Sequence, residues 1–340
     1  MSDSKFNLPR EAATGLFAAS IFGALYFHTV PALLAGLLAF VLTRGLLQTL
    51  HRFDVERKLL AHEMLAGIIV GVGSLAVLTG LSVLVARFLG GESVRDFMLT
   101  LAETVSQAKQ YLPEAIADYI PASLMDMRAL AAGALKEHAN AVAGFGSHVL
   151  HSTLLTLIGW ITGVLAAVSL VRQPNAAEQP AFFATWSRLW SQLADSFKHV
   201  AWAQAKIAGI NALLTGLFVM VVMPMLGWNL PYAKTLVLAT FFCGLLPVVG
   251  NLISNSFICI LALSVSFPAA IVAVVFLVLV HKMEYFLNAR IQGHEIGAAA
   301  WELLIVLFVS ELLFGPAGMV AAPVIYAFVK ADLKRMRWLA

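Results

Sequence analysis

Charge is the scarcest commodity in this sequence. Only 12% of its 340 residues are Asp, Glu, Lys or Arg, while 60% are hydrophobic. A soluble domain carries about 25% charged and about 45–50% apolar residues, so half of the usual charge is missing. Mean hydropathy is correspondingly high, at +0.86. A chain like this cannot coat a water-facing surface and reads as an integral membrane protein. The net charge of +3 is spread thinly, which excludes a nucleic-acid binder, and the apolar excess excludes a disordered tail. Cysteine is nearly absent too. Cys243 and Cys259 lie in apolar stretches, where a thiol serves as a small buried hydrophobe, so a disulfide-stapled module is excluded.

The motifs of soluble enzymes are missing as well. No Gly-rich loop ends in Gly-Lys-Ser/Thr, which excludes a phosphate cradle for ATP. Gly71-Val72-Gly73-Ser74-Leu75-Ala76 has dinucleotide-like spacing but sits inside an apolar run with no preceding strand. His62-Glu63 and His294-Glu295 lack the second histidine of a zinc-protease helix, and His148 and His151 have no carboxylate nearby in the chain. Zinc takes three or four ligands, so no metal, cofactor or catalytic set is expected.

What is present is a series of uncharged runs. A helical span takes about 20 apolar residues, and lipid tolerates no unsatisfied backbone, so the runs predict an all-α polytopic protein with 7–8 membrane segments. The first run, between Glu11 and Arg44, is split by Tyr26, His28 and Pro31 into a pair near 12–28 and 31–49. It is too long for the apolar core of a signal peptide and is expected to be retained. Further spans are predicted between Glu63 and Arg87, over about 144–171, and between Lys206 and Lys234. Thr235 to Val280 carries no charge and is interrupted by Pro247, Gly250 and Asn251, which predicts a helical hairpin over about 235–265 and a span over about 267–287. The last apolar stretch, 303–329, is interrupted at Gly315-Pro316-Ala317-Gly318 and predicts a second hairpin. Broken helices persist at membrane depth when buried in protein or lining a wet cavity. Gly67-x-x-x-Gly71 and Gly159-x-x-x-Gly163 are small-residue patterns that let helices approach closely.

Lys and Arg collect in 44–63, in 172–206 and in the tail, whereas 88–138 is net acidic. By the positive-inside rule both termini are expected in the cytoplasm and the acidic insert outside. Val94, Phe97, Met98, Leu101, Val105, Ala108 and Leu112 recur at helical spacing, so the insert is expected to carry an amphipathic helix. Phe182 to Phe197, with Trp186 and Trp190, suits a separate interfacial helix. The expected organisation is thus N-terminal spans over 1–90, the insert over 91–143, a fourth span with the interfacial helix over 144–206, and a hairpin-rich half over 207–340.

Polar residues inside that last half are the informative ones, because an unpaired charge at mid-membrane costs on the order of 2.5–3.5 kcal/mol. Glu302 and Glu311 bracket an apolar stretch and, nine residues apart, fall on opposite helical faces. Glu311 is expected to be functional or to form a buried pair with a basic residue of another helix. His281, Glu284, Tyr285 and Asn288 share one face, followed by Arg290. Glu284 is expected either to pair with Lys282 or Arg290, or to serve transport. Asn251, Ser254 and Asn255 form a second polar face after the Pro247–Gly250 break.

Three blocks carry a family resemblance. Leu246-Pro247-Val248-Val249-Gly250-Asn251 resembles the Pro-x-x-Gly break of the autoinducer-2 exporter family of bacterial permeases. Asn288-Ala289-Arg290-Ile291-Gln292-Gly293 resembles that family's loop of Asn, a Pro-rich turn and Ile-x-Gly, with Ala289 where a proline is common. Leu313-Phe314-Gly315-Pro316-Ala317-Gly318 followed by Ala321-Ala322-Pro323 is similar to its closing hairpin, while Ala300-Trp301-Glu302-Leu303 replaces the usual Leu-His-Pro. The resemblance implies an inner-membrane homo-oligomer, a pentamer, in which each subunit moves its own small polar solute or cation. It places Pro247, Gly250, Asn251, Asn255, Glu284, Asn288, Arg290, Gly293, Gly315, Pro316, Gly318 and Pro323 along the path or gate. Glu302 and Glu311 are the candidate ion-coupling groups. Efflux of a small metabolite or signal leads, with Na⁺(K⁺/Li⁺)/H⁺ antiport and a non-transporting membrane scaffold as alternatives.

Overall fold

A computed structural model describes residues 8–53, 67–74, 125, 133, 139–171, 179–245 and 249–338. Most of the insert over 91–143 and most of the span expected between Glu63 and Arg87 lie outside the described residues, as does Pro247. The described residues contain no strand. The helices are α1 (Leu8–Tyr26), α2 (Val30–Phe53), α3 (Ala139–Val171), α4 (Ala181–Leu217), α5 (Ala233–Gly244), α6 (Val249–Leu263), α7 (Phe267–Ile296) and α8 (Ala300–Arg335). Five described stretches are long and apolar enough to cross a membrane: Val30–Thr49, Leu150–Leu170, Ala181–Met225, Phe267–Glu284 and Ala300–Arg335. The protein is an all-helical, multi-pass membrane protein.

Two elements run further than the sequence pattern implied. The interfacial helix expected over 182–197 and the span after Lys206 are one continuous helix, because no Gly-Pro break separates their apolar stripes. That helix widens into a π turn at Phe218–Val222 and ends at Met223–Met225. Pro224 offers the reason: it has no N–H to give, and its ring crowds the carbonyl four residues back. The Asn288–Gly293 block is not a loop. With Ala289 in place of a proline, α7 keeps its hydrogen-bond ladder through to Ile296 and stops at Gly297, whose φ of 65° suits a glycine helix terminator.

The chain forms two compact units: Met1–Leu78, Gly146–Val200 and Glu295–Ala340 in the first, Thr79–Phe145 and Ala201–His294 in the second. In the first unit, Phe17 of α1 meets Trp190 of α4 edge-on at 5.2 Å and Phe328 of α8 at 5.1 Å, tying three helices together. Leu37, Phe40, Leu189, Leu193 and Val324 complete that core. One flank of α3 instead presents Leu154, Ile158, Ile161 and Leu165, all roughly half exposed or more, as a lipid-facing surface.

Where α3 crosses α2, backbones rather than side chains meet. A Cβ built on Gly159 would overlap the Ala32 carbonyl, one on Gly163 would overlap that of Gly36, and one on Gly36 would lie 3.0 Å from the Gly159 oxygen. Backbone cannot swing aside as a side chain can, so only glycine fits. Gly159→Leu is expected to lose the monodisperse folded species on size exclusion in detergent, since overpacking a close contact costs about 1–3 kcal/mol or more. A wild-type elution profile and melting temperature would refute the tight crossing.

The second unit packs Phe218 face to face on Phe276 at 3.9 Å, around Met223, Ile258, Leu261 and Ala273. Its hairpin, α5 and α6, closes around two glycines. A Cβ on Gly250 would overlap the Cys243 carbonyl, and one on Gly244 would stand 3.1 Å from the Ala208 Cβ. α8 is also a hairpin. Gly315, at φ 65° and ψ −159°, breaks it into arms 300–314 and 316–335, a backbone region essentially restricted to glycine. Gly318 then lies so close to the Ser310 carbonyl that a Cβ there would overlap it.

Candidate functional site

In the second unit the polar residues are gathered into a seam rather than scattered. Glu284, two-thirds of the way along α7, is 7% exposed. Burying a carboxylate is costly unless donors surround it. The Asn251 side-chain amide donates to Glu284 Oε1 from the first turn of α6. The positive end of that helix and the amide together favour an anion there. His281, one turn back on α7, places Nδ1 3.8 Å from Glu284 Oε2. Glu284 thus takes neither Lys282 nor Arg290 as its partner. On a helix those residues point 200° and 240° away at about 100° per residue, whereas His281 shares its face.

The seam continues toward α4. Gln204, 9% exposed, donates from Nε2 to the Gly244 carbonyl at 2.7 Å and so satisfies an orphan acceptor at the end of α5. Gln292 of α7 donates to Gln204 Oε1 at 3.4 Å. Gly244 is also where the two halves of the seam meet, since a Cβ there would lie 3.8 Å from Asn251 Oδ1. Along α4 the same face carries Gln204, Ala208, Asn211 and Thr215, at helical spacings of four, three and four. Asn211 is 5% exposed, and its Oδ1 is buried with no hydrogen-bond partner. A buried amide oxygen without a donor is costly in isolation and is suited to receive one from a ligand or water. The arrangement is a buried carboxylate flanked by amides beside a broken helix, which can take up a polar solute or a cation.

The first unit holds a different charged group. Glu302, at the start of α8, accepts from Tyr326 Oη and from Lys330 Nζ, the latter at 2.5 Å. Lys330 Nζ also stands 5.7 Å over the Tyr326 ring. The hairpin explains the pairing: folding about Gly315–Pro316 carries residue 302 back to 326 and 330. Both side chains are largely covered, at 23% for Glu302 and 14% for Lys330. A carboxylate held this way by two donors is a clasp closing the mouth of the hairpin.

Of the other residues singled out in the sequence, Glu311 is exposed near the tip of the first arm and has no hydrogen bond or ion pair to a described residue. Asn255 is half-buried one turn beyond Asn251 on α6, and Arg290 is exposed on α7. Gly293 lies within the helical continuation of α7, and the Asn288 side chain falls outside the described residues. Gly315, Pro316 and Gly318 form the hairpin break, and Pro323 is buried in the second arm among Ala321, Ala322 and Val324. No group of three potential metal ligands occurs among the described residues. Gln204, Asn211, Gln292, Tyr326 and Lys330 were not singled out by sequence reasoning. Gln204, Asn211 and Thr215 carried a usable signal, a polar stripe at helical spacing through an apolar run. Lys330 carried none, because it reads as one more basic residue of the tail.

The family model described as AI-2E family transporter matches residues 14–338. No curated protein matches the chain.

Proposed function

The chain belongs to the AI-2E transporter family, and from that premise we propose that it exports a small polar metabolite or signalling molecule across the bacterial cytoplasmic membrane. The observation that carries this reading is Glu284, a buried carboxylate held by Asn251 immediately after the α5–α6 break. Broken helices expose backbone amides and carbonyls where a polar solute can replace its water. The seam from His281 and Glu284 through Asn251 to Gln204 and Asn211 would then be the solute path, with Asn255 continuing it and Arg290 at its rim. The α8 hairpin of Gly315–Gly318, clasped by Glu302, would be a second broken helix that serves transport. Both termini would be cytoplasmic, and the working form would be a homo-oligomer, a pentamer, with one path per subunit.

Na⁺(K⁺/Li⁺)/H⁺ antiport is the second reading, and the same buried carboxylate favours it, since an antiporter alternates a proton and a metal cation on one acid. A scaffold without transport fits less well, because partner binding has no use for a polar seam inside an apolar helix bundle. The deciding experiment is reconstitution into sealed liposomes. Labelled small polar solutes are expected to equilibrate faster in protein-loaded than in empty vesicles, with no response of an internal pH dye to Na⁺, K⁺ or Li⁺ pulses. A cation-dependent pH change lost on Glu284→Gln, Glu302→Gln or Glu311→Gln would select antiport instead and name its coupling group. Vesicles indistinguishable from empty ones in both assays would overturn transport.

A further inference from the structure

The first unit contains a second polar feature, unrelated to the seam and to the α8 clasp. Three arginines from three helices open onto one cavity of about 830 Å³: Arg10 in the first turn of α1, Arg188 in the second turn of α4, and Arg335 at the end of α8. Among the described residues that line it there is no carboxylate. Asp332 accepts from Arg335 at 2.7 Å and from Gln192 at 3.3 Å and anchors one guanidinium, but does not itself line the cavity. The α1 and α4 N-termini lie at this end of the unit, and both helix dipoles add to its positive field. Three arginines lining one open basin suit the oxygens of a phosphate group.

What lies beside the basin narrows the choice of phosphate. Ser187 lines both the basin and a crevice of about 540 Å³ that runs between α1, α2, α3 and α4. Trp186 and Trp190 line the crevice on α4. Four of the five crevice hydroxyls face their own backbones. Ser20, Thr162 and Ser169 donate to the carbonyls of Leu16, Ile158 and Ala166 at 2.8, 2.8 and 2.9 Å, and Thr29 to that of Ala24 at 3.4 Å. Each therefore offers hydrocarbon rather than a free donor. The crevice is bounded by the Gly36–Gly159–Gly163 crossing, where backbone rather than side chains forms the wall. Aromatic residues at the mouth, with Phe183 59% exposed beside them, are the side chains that settle at a membrane interface.

We propose that basin and crevice together form a site for one anionic phospholipid per subunit, its phosphate on Arg10, Arg188 and Arg335 and an acyl chain along the crevice. A greasy slot adjoining a phosphate basin matches a lipid; a soluble phosphate would use the basin alone. This site does not depend on which solute the seam carries.

The test uses the full-length protein in a mild uncharged detergent. Thermal unfolding is followed with added dioleoyl-phosphatidylglycerol, dioleoyl-phosphatidylcholine or inorganic phosphate, and native mass spectrometry counts retained lipid. Phosphatidylglycerol is expected to raise the melting temperature by several degrees and to be retained at one copy per subunit, while phosphatidylcholine and inorganic phosphate do neither. Arg10→Gln/Arg188→Gln is expected to abolish both effects while its lipid-free melting temperature stays at the wild-type value. Arg335 is left intact because its pair with Asp332 supports α8. A shift reproduced by inorganic phosphate and lost in the double variant would overturn the lipid and assign a soluble phosphate ligand. Phosphatidylglycerol retained equally by the double variant, or a shift given equally by phosphatidylcholine, would overturn the site. Should the double variant melt early without lipid, Arg10→Lys/Arg188→Lys provides the second comparison. It keeps the charge but loses the forked geometry, and the phosphatidylglycerol shift is expected to shrink.

Discussion

Glu284→Gln abolishes solute transport in liposomes, or reduces it by about 10- to 100-fold, while the protein elutes and melts much as wild type. The size follows from what is lost. Glutamine keeps the shape of the side chain and still offers an oxygen to the Asn251 amide. It removes the charge, and a hydrogen bond to a charged group is worth about 1.5–3 kcal/mol, or one to two factors of ten. The reciprocal change acts on stability first. Among the described residues, Asn251→Ala leaves the buried Glu284 carboxylate with His281 at 3.8 Å as its side-chain partner. An acceptor stranded in this way costs about 1–3 kcal/mol, and more when charged. The melting temperature of that variant should therefore fall, and the double variant Glu284→Gln/Asn251→Ala should recover part of the loss. Transport rates in proteoliposomes and thermal unfolding in detergent read the two effects separately. A Glu284→Gln protein with full transport would remove the seam from the path and return attention to the α8 hairpin.

The two hairpins were legible in the sequence, since Gly250 and Gly315 stand in uncharged runs where a continuous span would have no use for them. The close crossing of α2 and α3 was half legible: the Gly159–Gly163 spacing announced a partner, but only the fold identifies Ala32 and Gly36 as the backbone it meets. Helix length was harder. Nothing between Phe182 and Met223 breaks a helix, yet the change from Trp-rich amphipathic to uniformly apolar residues suggested two elements where α4 is one. The partner of Glu284 illustrates the deeper limit. Its own helix supplied the local part of the answer, because helical phase rules out Lys282 and Arg290 and leaves His281. Asn251, thirty-three residues away in sequence, becomes a neighbour only once α5, α6 and α7 are packed. The same holds for Glu302 and Lys330, which meet because the chain reverses at Gly315.

Gly250→Ala should be the most damaging single methyl group in the described part of the chain. The added Cβ would overlap the Cys243 carbonyl, a backbone atom held in the last turn of α5. No rotamer change relieves such a clash, so α6 must move as a body, at a cost of about 1–3 kcal/mol or more. Asn251 is the next residue, and any displacement of α6 draws its amide away from Glu284. Stability and transport should therefore fail together, unlike in Glu284→Gln, where transport fails alone. Gly209→Ala supplies the contrast. Gly209 is also a helical glycine of the second unit, but a Cβ there meets nothing within 4 Å, and alanine is favoured over glycine inside a helix by about 1 kcal/mol. That variant should melt at or above the wild-type temperature and transport normally. If Gly250→Ala behaved like Gly209→Ala, the tight closure of α5 on α6 would not be what holds Asn251 against the carboxylate. If it lost transport while melting like wild type, the glycine would be needed for movement of the break rather than for its packing.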